Sequence, residues 1–149
     1  MLPFKVPTVV MCDDIRMEHN NKFILVGVYN GTLLVGGFPA QIPLCWWLQL
    51  IIQQPSKFEV ELQLVKDDSS TLLRAMVGFD AVTPGWAAMP LPKVELQLQG
   101  PGKVRLQLKL KSDSEWETVH EFEVALGPVP DNSLGARNSN PLVLGPPFA

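Results

Sequence analysis

The text V-x-L-Q-L occurs three times in this chain, at Val60–Leu64, Val94–Leu98 and Val104–Leu108. Apolar residues at alternate positions, with Glu, Gln or Arg between them, mark strands with one buried and one wet face. The copies keep no constant spacing, so they are not a solenoid repeat but three strands obeying one rule. Helical periodicity is absent: no window carries apolar residues at i, i+3, i+4 and i+7 between caps. Further strands are predicted over Val6–Cys12, Phe23–Tyr29, Thr32–Val35, Pro43–Gln53, Phe58–Lys66, Leu72–Phe79 and Trp116–Leu126. Eight or nine strands with short polar turns and no helices predict an all-β chain, an antiparallel Greek-key (immunoglobulin-like) β-sandwich.

Two of these strands are too apolar for a lone domain. Phe23–Tyr29 (FILVGVY) is apolar on both faces, and Leu44–Ile52 (LCWWLQLII) is interrupted only by Gln49. In the latter, Trp46, Leu48, Leu50 and Ile52 share one face, and Cys45, Trp47 and Ile51 the other. A sandwich strand needs one apolar face, so the second must meet a loop, the C-terminal tail or another chain. The Pro-rich stretch Pro84–Pro90 is a loop that could fold over it.

Gly100-Pro101-Gly102 reads as a hairpin loop. Closing it pairs Gln99 with Lys103, Gln97 with Arg105 and Glu95 with Gln107. The wet face then carries Lys103, Arg105, Lys109 and Lys111 beside Glu117, Glu121 and Glu123 of the next strand, a solvated surface with weak cross-strand pairs, with a phosphate- or sugar-binding stripe as the alternative.

The densest cluster of ionisable groups is Cys12–Lys22 (CDDIRMEHNNK). Asp13, Asp14 and Glu18 with His19 could in principle hold a hard cation, but the spacing is not that of a calcium loop. The simpler reading is a structural turn. Asp13 or Asp14 accepts backbone N–H groups at a strand end, Arg16 pairs with a nearby carboxylate, and Asn20-Asn21 tolerate positive φ. Cys12 and Cys45 sit inside apolar runs and read as buried reduced thiols, with a disulfide between adjacent strands as the alternative. Neither shows zinc-site spacing. No G-x-S-x-G, P-loop or H-E-x-x-H occurs, so no catalytic residue, cofactor or metal is expected.

The 149 residues fit one domain, and the net charge of −3 argues against a nucleic-acid binder. Pro3 and Pro7 break the N-terminal apolar stretch, and no apolar run reaches membrane-spanning length, so no signal peptide, no membrane partner and a cytoplasmic location are expected. From Gly127 the pattern changes: GPVPDNSLGARNSNPLVLGPPFA holds too much proline to continue a sheet. The expected organisation is a β-sandwich domain over 1–126 and an extended arm over 127–149. The arm's apolar residues Leu142, Val143, Leu144 and Phe148 join Trp47 and Ile51 as the candidate partner interface.

The motif M-C-D-D-I-R-M-E at Met11–Glu18, with K-F-I-L-V-G-V-Y at Lys22–Tyr29 and G-F-P at Gly37–Pro39, resembles a family of small proteins encoded in bacterial and phage genomes. Its members carry the signature C-D-D-[IV]-R-x-E…G-K-x-x-[LI]-x-G-V-Y and are recorded as a domain of unknown function. Asn21 stands where a glycine often precedes the lysine. The resemblance implies a small β-sandwich of bacterial or phage origin and supplies no catalytic residue.

The expected function is that of a non-enzymatic structural or interaction subunit. It would join protein partners, as a homo-oligomer or within a larger assembly such as a phage virion, through its apolar strand faces and arm. A carbohydrate-binding module using Trp86 or Trp116 is the alternative, and a metal-dependent enzyme built on Asp13–His19 the remote one.

Overall fold

The computed structural model describes residues 1–128. They form ten strands: β1 (Phe4–Met17), β2 (Phe23–Val28), β3 (Thr32–Val35), β4 (Ala40–Ile52), β5 (Ser56–Lys66), β6 (Thr71–Ala81), β7 (Gly85–Pro90), β8 (Val94–Leu98), β9 (Gly102–Leu110) and β10 (Glu117–Leu126). The one helical element among them is a single 3-10 turn, His19–Asn21. The all-β expectation therefore holds. The arm over 129–149, with Leu142, Val143, Leu144 and Phe148, lies outside the described residues.

The strands make two sheets. The first runs β2-β1-β4-β7, with β8 beside the other half of β4. The second runs β3-β10-β9-β5-β6. One core lies between them, drawn from both: Met11, Trp46, Leu48, Leu50, Leu96 and Leu98 from the first, Val60, Leu62, Leu64, Leu106, Leu108 and Phe122 from the second. The alternation of the three V-x-L-Q-L strands is what aims Leu62, Leu96 and Leu106 into this layer.

Three local expectations are corrected. Gly100–Gly102 does not close a hairpin. β8 pairs with β4, and β9 pairs with β5 and β10, so the loop carries the chain from one sheet to the other. Val94, Leu96 and Leu98 therefore lie across the core from Val104, Leu106 and Leu108 instead of beside them. A Gly-Pro-Gly loop between two amphipathic strands serves either geometry. The second correction is β7: Gly85–Pro90 is not a covering loop but a tenth strand, paired with β4 from Trp47↔Pro90 to Ile51↔Trp86. Its prolines flank an edge strand, a position where a missing N–H costs nothing.

The third concerns Asp13, Asp14 and Arg16. They belong to β1, which runs on to Met17 in register with β2, from Cys12↔Val28 to Met17↔Phe23. The turn proper is Glu18–Lys22, where Asn20 (φ 67°) and Asn21 (φ 59°) take the left-handed conformation. A charged strand is stable here because both faces of the hairpin end stand partly in solvent.

On the outer face of the second sheet, lysines of β9 and the lysine just after it pair on both sides. Lys103 lies 3.1 Å from Glu121 of β10, while Lys109 and Lys111 lie 3.1 Å from Glu61 and 3.3 Å from Glu59 of β5. Between them runs a chain of amides. Arg74 Nε donates to Gln63 Oε1 (3.1 Å), Gln63 Nε2 to Gln107 Oε1 (2.8 Å), and Gln107 Nε2 to Thr118 Oγ1 (3.1 Å). Gln63, 6 % exposed, can be buried because both ends of its amide are bonded.

Candidate interaction face

The outer face of the first sheet is the candidate site. In β4, Trp46, Leu48, Leu50 and Ile52 go to the core, and Cys45, Trp47 and Ile51 turn away from it. This second face is largely covered by the chain itself. Cys12 and Cys45 stand opposite each other in the β1–β4 register, both free thiols, both buried and both outside the central core cluster. Ile15, Met17 and Phe23 of the β1–β2 hairpin, with Pro90 and Leu91, line the hollow above Cys45.

Trp47 is half-buried, with Phe23 edge-on at 6.2 Å between ring centroids. Its buried indole Nε1 has no hydrogen-bond partner among the described residues. Ile51 is also half-buried, beside Trp86 of β7. Trp47 and Ile51 therefore lie at the floor of this face and not at its free surface. Burial is also what pushes the Cys12 thiol up to about 11, with the neighbouring Cys45 adding to it, and burial raises Cys45 too.

The apolar surface that stays open is one strand further out. Among the described residues β2 is an edge of the sheet, hydrogen-bonded to β1 alone. Its residues Ile24, Val26 and Val28 are 43 %, 40 % and 54 % exposed, and Met17, in register with Phe23, is exposed too. The FILVGV pattern announces a strand apolar on both faces. That it ends the sheet is set by pairing with β1, which residue pattern alone does not specify. At the opposite edge Trp86 of β7 is 67 % exposed.

The polar residues of the hairpin diverge. The Tyr29 hydroxyl donates to Asp13 Oδ1 (2.5 Å). Asp14 takes Arg16 (3.4 Å) and, across the sheet end, Lys93 (3.4 Å). The Lys93 ammonium beside it holds the Asp14 carboxyl below its ordinary value, with Arg16 helping. Glu18 and His19 lie exposed on the turn. Asp13, Asp14, Glu18 and His19 thus have separate surroundings, and among the described residues no group of three His, Cys, Asp or Glu side chains could hold a metal ion. Trp116 carries the Arg74 guanidinium 5.6 Å and the Lys109 ammonium 5.1 Å from its ring centroid, so its face serves as a seat for cations of its own sheet.

No family model matches the chain, and no curated protein matches it. Among the described residues no helix is long and apolar enough to cross a membrane.

Proposed function

We propose that this protein is a non-enzymatic structural or interaction subunit that joins a larger assembly through apolar strand surfaces. The observation that carries the reading is β2: six residues without a charge, at a sheet edge, with Ile24, Val26 and Val28 open to solvent. Such an edge invites pairing with another chain, and isolated domains blunt theirs. The arm residues Leu142, Val143, Leu144 and Phe148, outside the described residues, are the second proposed attachment.

The resemblance over Met11–Pro39 supports a phage virion or a prophage-encoded complex as the setting, with the cytoplasm as the place of synthesis and assembly. The Greek-key, immunoglobulin-like description of the sandwich belongs to the same proposal. It draws on the connections β2–β3, β4–β5, β6–β7 and β8–β9, each of which passes from one sheet to the other.

Light scattering on the full chain tests the reading. A mass above that of the 16.5 kDa chain, rising with concentration, is expected. A monodisperse 16.5 kDa species at every concentration contradicts it.

A further inference from the structure

The chain holds two cysteines, and the fold sets them directly opposite each other, Cys12 on β1 and Cys45 on β4. Opposed residues of an antiparallel pair stand about 4.5–5.5 Å apart at Cα. That lies inside the roughly 4.4–6.8 Å that a disulfide bridges. The Cys45 thiol is turned toward the neighbouring strand: its Sγ lies 3.8 Å from the carbonyl oxygen of Asp13, the residue after Cys12. Both thiols are free, and both lie apart from the central core cluster.

The two differ in access. Cys12 is sealed at 0 % exposure. Cys45, at 2 %, belongs to the lining of a surface hollow of about 350 Å³ walled by Ile15, Met17, Phe23 and Pro90. A small uncharged solute entering the hollow meets Cys45 first, and Cys12 only beyond it.

We infer that Cys12 and Cys45 form a redox pair that a hydroperoxide closes to a reversible cross-strand disulfide, Cys45 being attacked first and Cys12 resolving. This goes beyond the assembly reading and does not rest on it. The Cys45 thiol gives its proton to solvent, and the thiolate attacks one peroxide oxygen. The O–O bond breaks, leaving a sulfenic acid on Cys45 and, once a proton is returned, one water. The Cys12 sulfur then attacks the Cys45 sulfur. The S–S bond forms, the S–O bond breaks, and the hydroxyl leaves as a second water with the Cys12 proton. The two sulfurs lose two electrons and the peroxide gains them.

Burial keeps thiolate scarce, so the first step is slow and the pair answers sustained oxidant, not a brief exposure. Opposed Cβ atoms in a ladder stand about 4.5–5.5 Å apart. A relaxed disulfide takes roughly 3.5–4.5 Å. Closure therefore draws β1 and β4 together, and a strained bond of this kind is readily reduced again. Cys12 is the last residue of β1 in register with β4; from Asp14 onward β1 pairs with β2 alone. The closed bond pins the root of the β1–β2 hairpin to the sheet.

The test is exposure of the folded full-length chain to millimolar hydrogen peroxide, then alkylation in denaturant and peptide mapping. A 12–45 cross-linked peptide is expected, with alkylatable thiols falling from two per chain to near none and restored by dithiothreitol. In Cys12→Ser, Cys45 has no resolving partner and is expected to go on to the sulfinic acid. In Cys45→Ser, Cys12 is expected to oxidise at least about tenfold more slowly than Cys45 does in the wild type. Two alkylatable thiols in a wild type whose exposed Met17 has become the sulfoxide overturn the inference, since oxidant then reached the hairpin and left the pair alone. Sulfinic acid at Cys45 of the wild type without the 12–45 link, or a disulfide between two chains, also overturns it. Equal oxidation rates in the two serine variants overturn the order of attack. The wild-type measurement stands by itself if a variant fails to fold.

Discussion

The Tyr29 hydroxyl donates a 2.5 Å hydrogen bond to Oδ1 of Asp13, tying the chain just beyond β2 to the middle of β1. The carboxylate reaches it by lying over Gly27, which has φ 66° and no side chain. A Cβ on Gly27 would stand 2.7 Å from Asp13 Cγ and would be strained at that φ. Gly27→Ala is therefore expected to cost about 1–3 kcal/mol in urea unfolding, through both backbone strain and displacement of Asp13. A cost within experimental error would show that Asp13 moves away freely.

The same bond gives Tyr29 a pH signature. Burial, then the hydrogen bond and charge of Asp13, push its phenol from the ordinary 10.0 up to about 12. A raised native value favours the protonated form in the fold, so its contribution to stability is complete below pH 10 and is lost as pH rises toward 12. Tyr29→Phe is expected to remove this part of the alkaline loss. Paired denaturation curves at rising pH, with phenolate absorbance as the titration readout, check it.

His120 works in the opposite direction. It is half-buried in β10 with its ring centroid 6.0 Å from that of Phe122, and its buried Nε2 has no partner among the described residues. Burial lowers its native value below the ordinary 6.5. The unfolded chain then binds the proton first, so stability is complete above pH 6.5 and falls as pH drops toward the lowered native value. His120→Gln is expected to flatten the wild type's decline in thermal midpoint over this window. A parallel decline in both proteins would contradict the assignment.

Cys12 and Cys45 face each other in register on neighbouring strands, yet both are buried and both hold raised thiol values. Thiolate, the reactive form, is scarce at each. A disulfide reagent at pH 8 is expected to label neither thiol in the folded protein at a rate within about a hundredfold of a free thiol, and to label both after denaturation.

The Gln63 amide and the surface ion pairs of the second sheet separate buried from exposed polarity. Gln63→Ala leaves the Arg74 guanidinium and the Gln107 amide each short of a partner in a half-closed setting. A cost of about 1–3 kcal/mol is expected. Glu59→Ala breaks only the exposed pair with Lys111 and is expected to change stability by less than about 0.5 kcal/mol.

Much of the strand layout was legible because one face of most strands is buried and the other wet. The alternation in Val60–Leu64 and Val104–Leu108 locates β5 and β9 and names their core residues. Between β5 and β6 the chain turns tightly, with Lys66 N bonded to Ser70 O at 2.9 Å. What failed was local text with two physical outcomes. Gly100–Gly102 can close a hairpin or cross between sheets, and only the pairing of β8 with β4 decides. Pro84 and Pro90 read as loop because proline cannot join a central strand, but β7 is an edge. Asp13–Met17 read as turn because its charges suit one, yet paired with Phe23–Gly27 it extends β1. For the candidate face, the double apolarity of β2 and β4 was visible. That the hairpin would roof Cys45 and Trp47 while leaving Ile24, Val26 and Val28 open depends on which strand ends the sheet, a long-range fact.

Hydrogen exchange of the full chain at two concentrations tests the central claim most directly, since it reads the edge amides themselves. Amides over Ile24–Val28 are expected to gain protection as concentration rises, while those of β6, the long charged edge of the other sheet, stay unchanged. Protection that appears on β6 alone, or no concentration dependence at β2, would contradict the account.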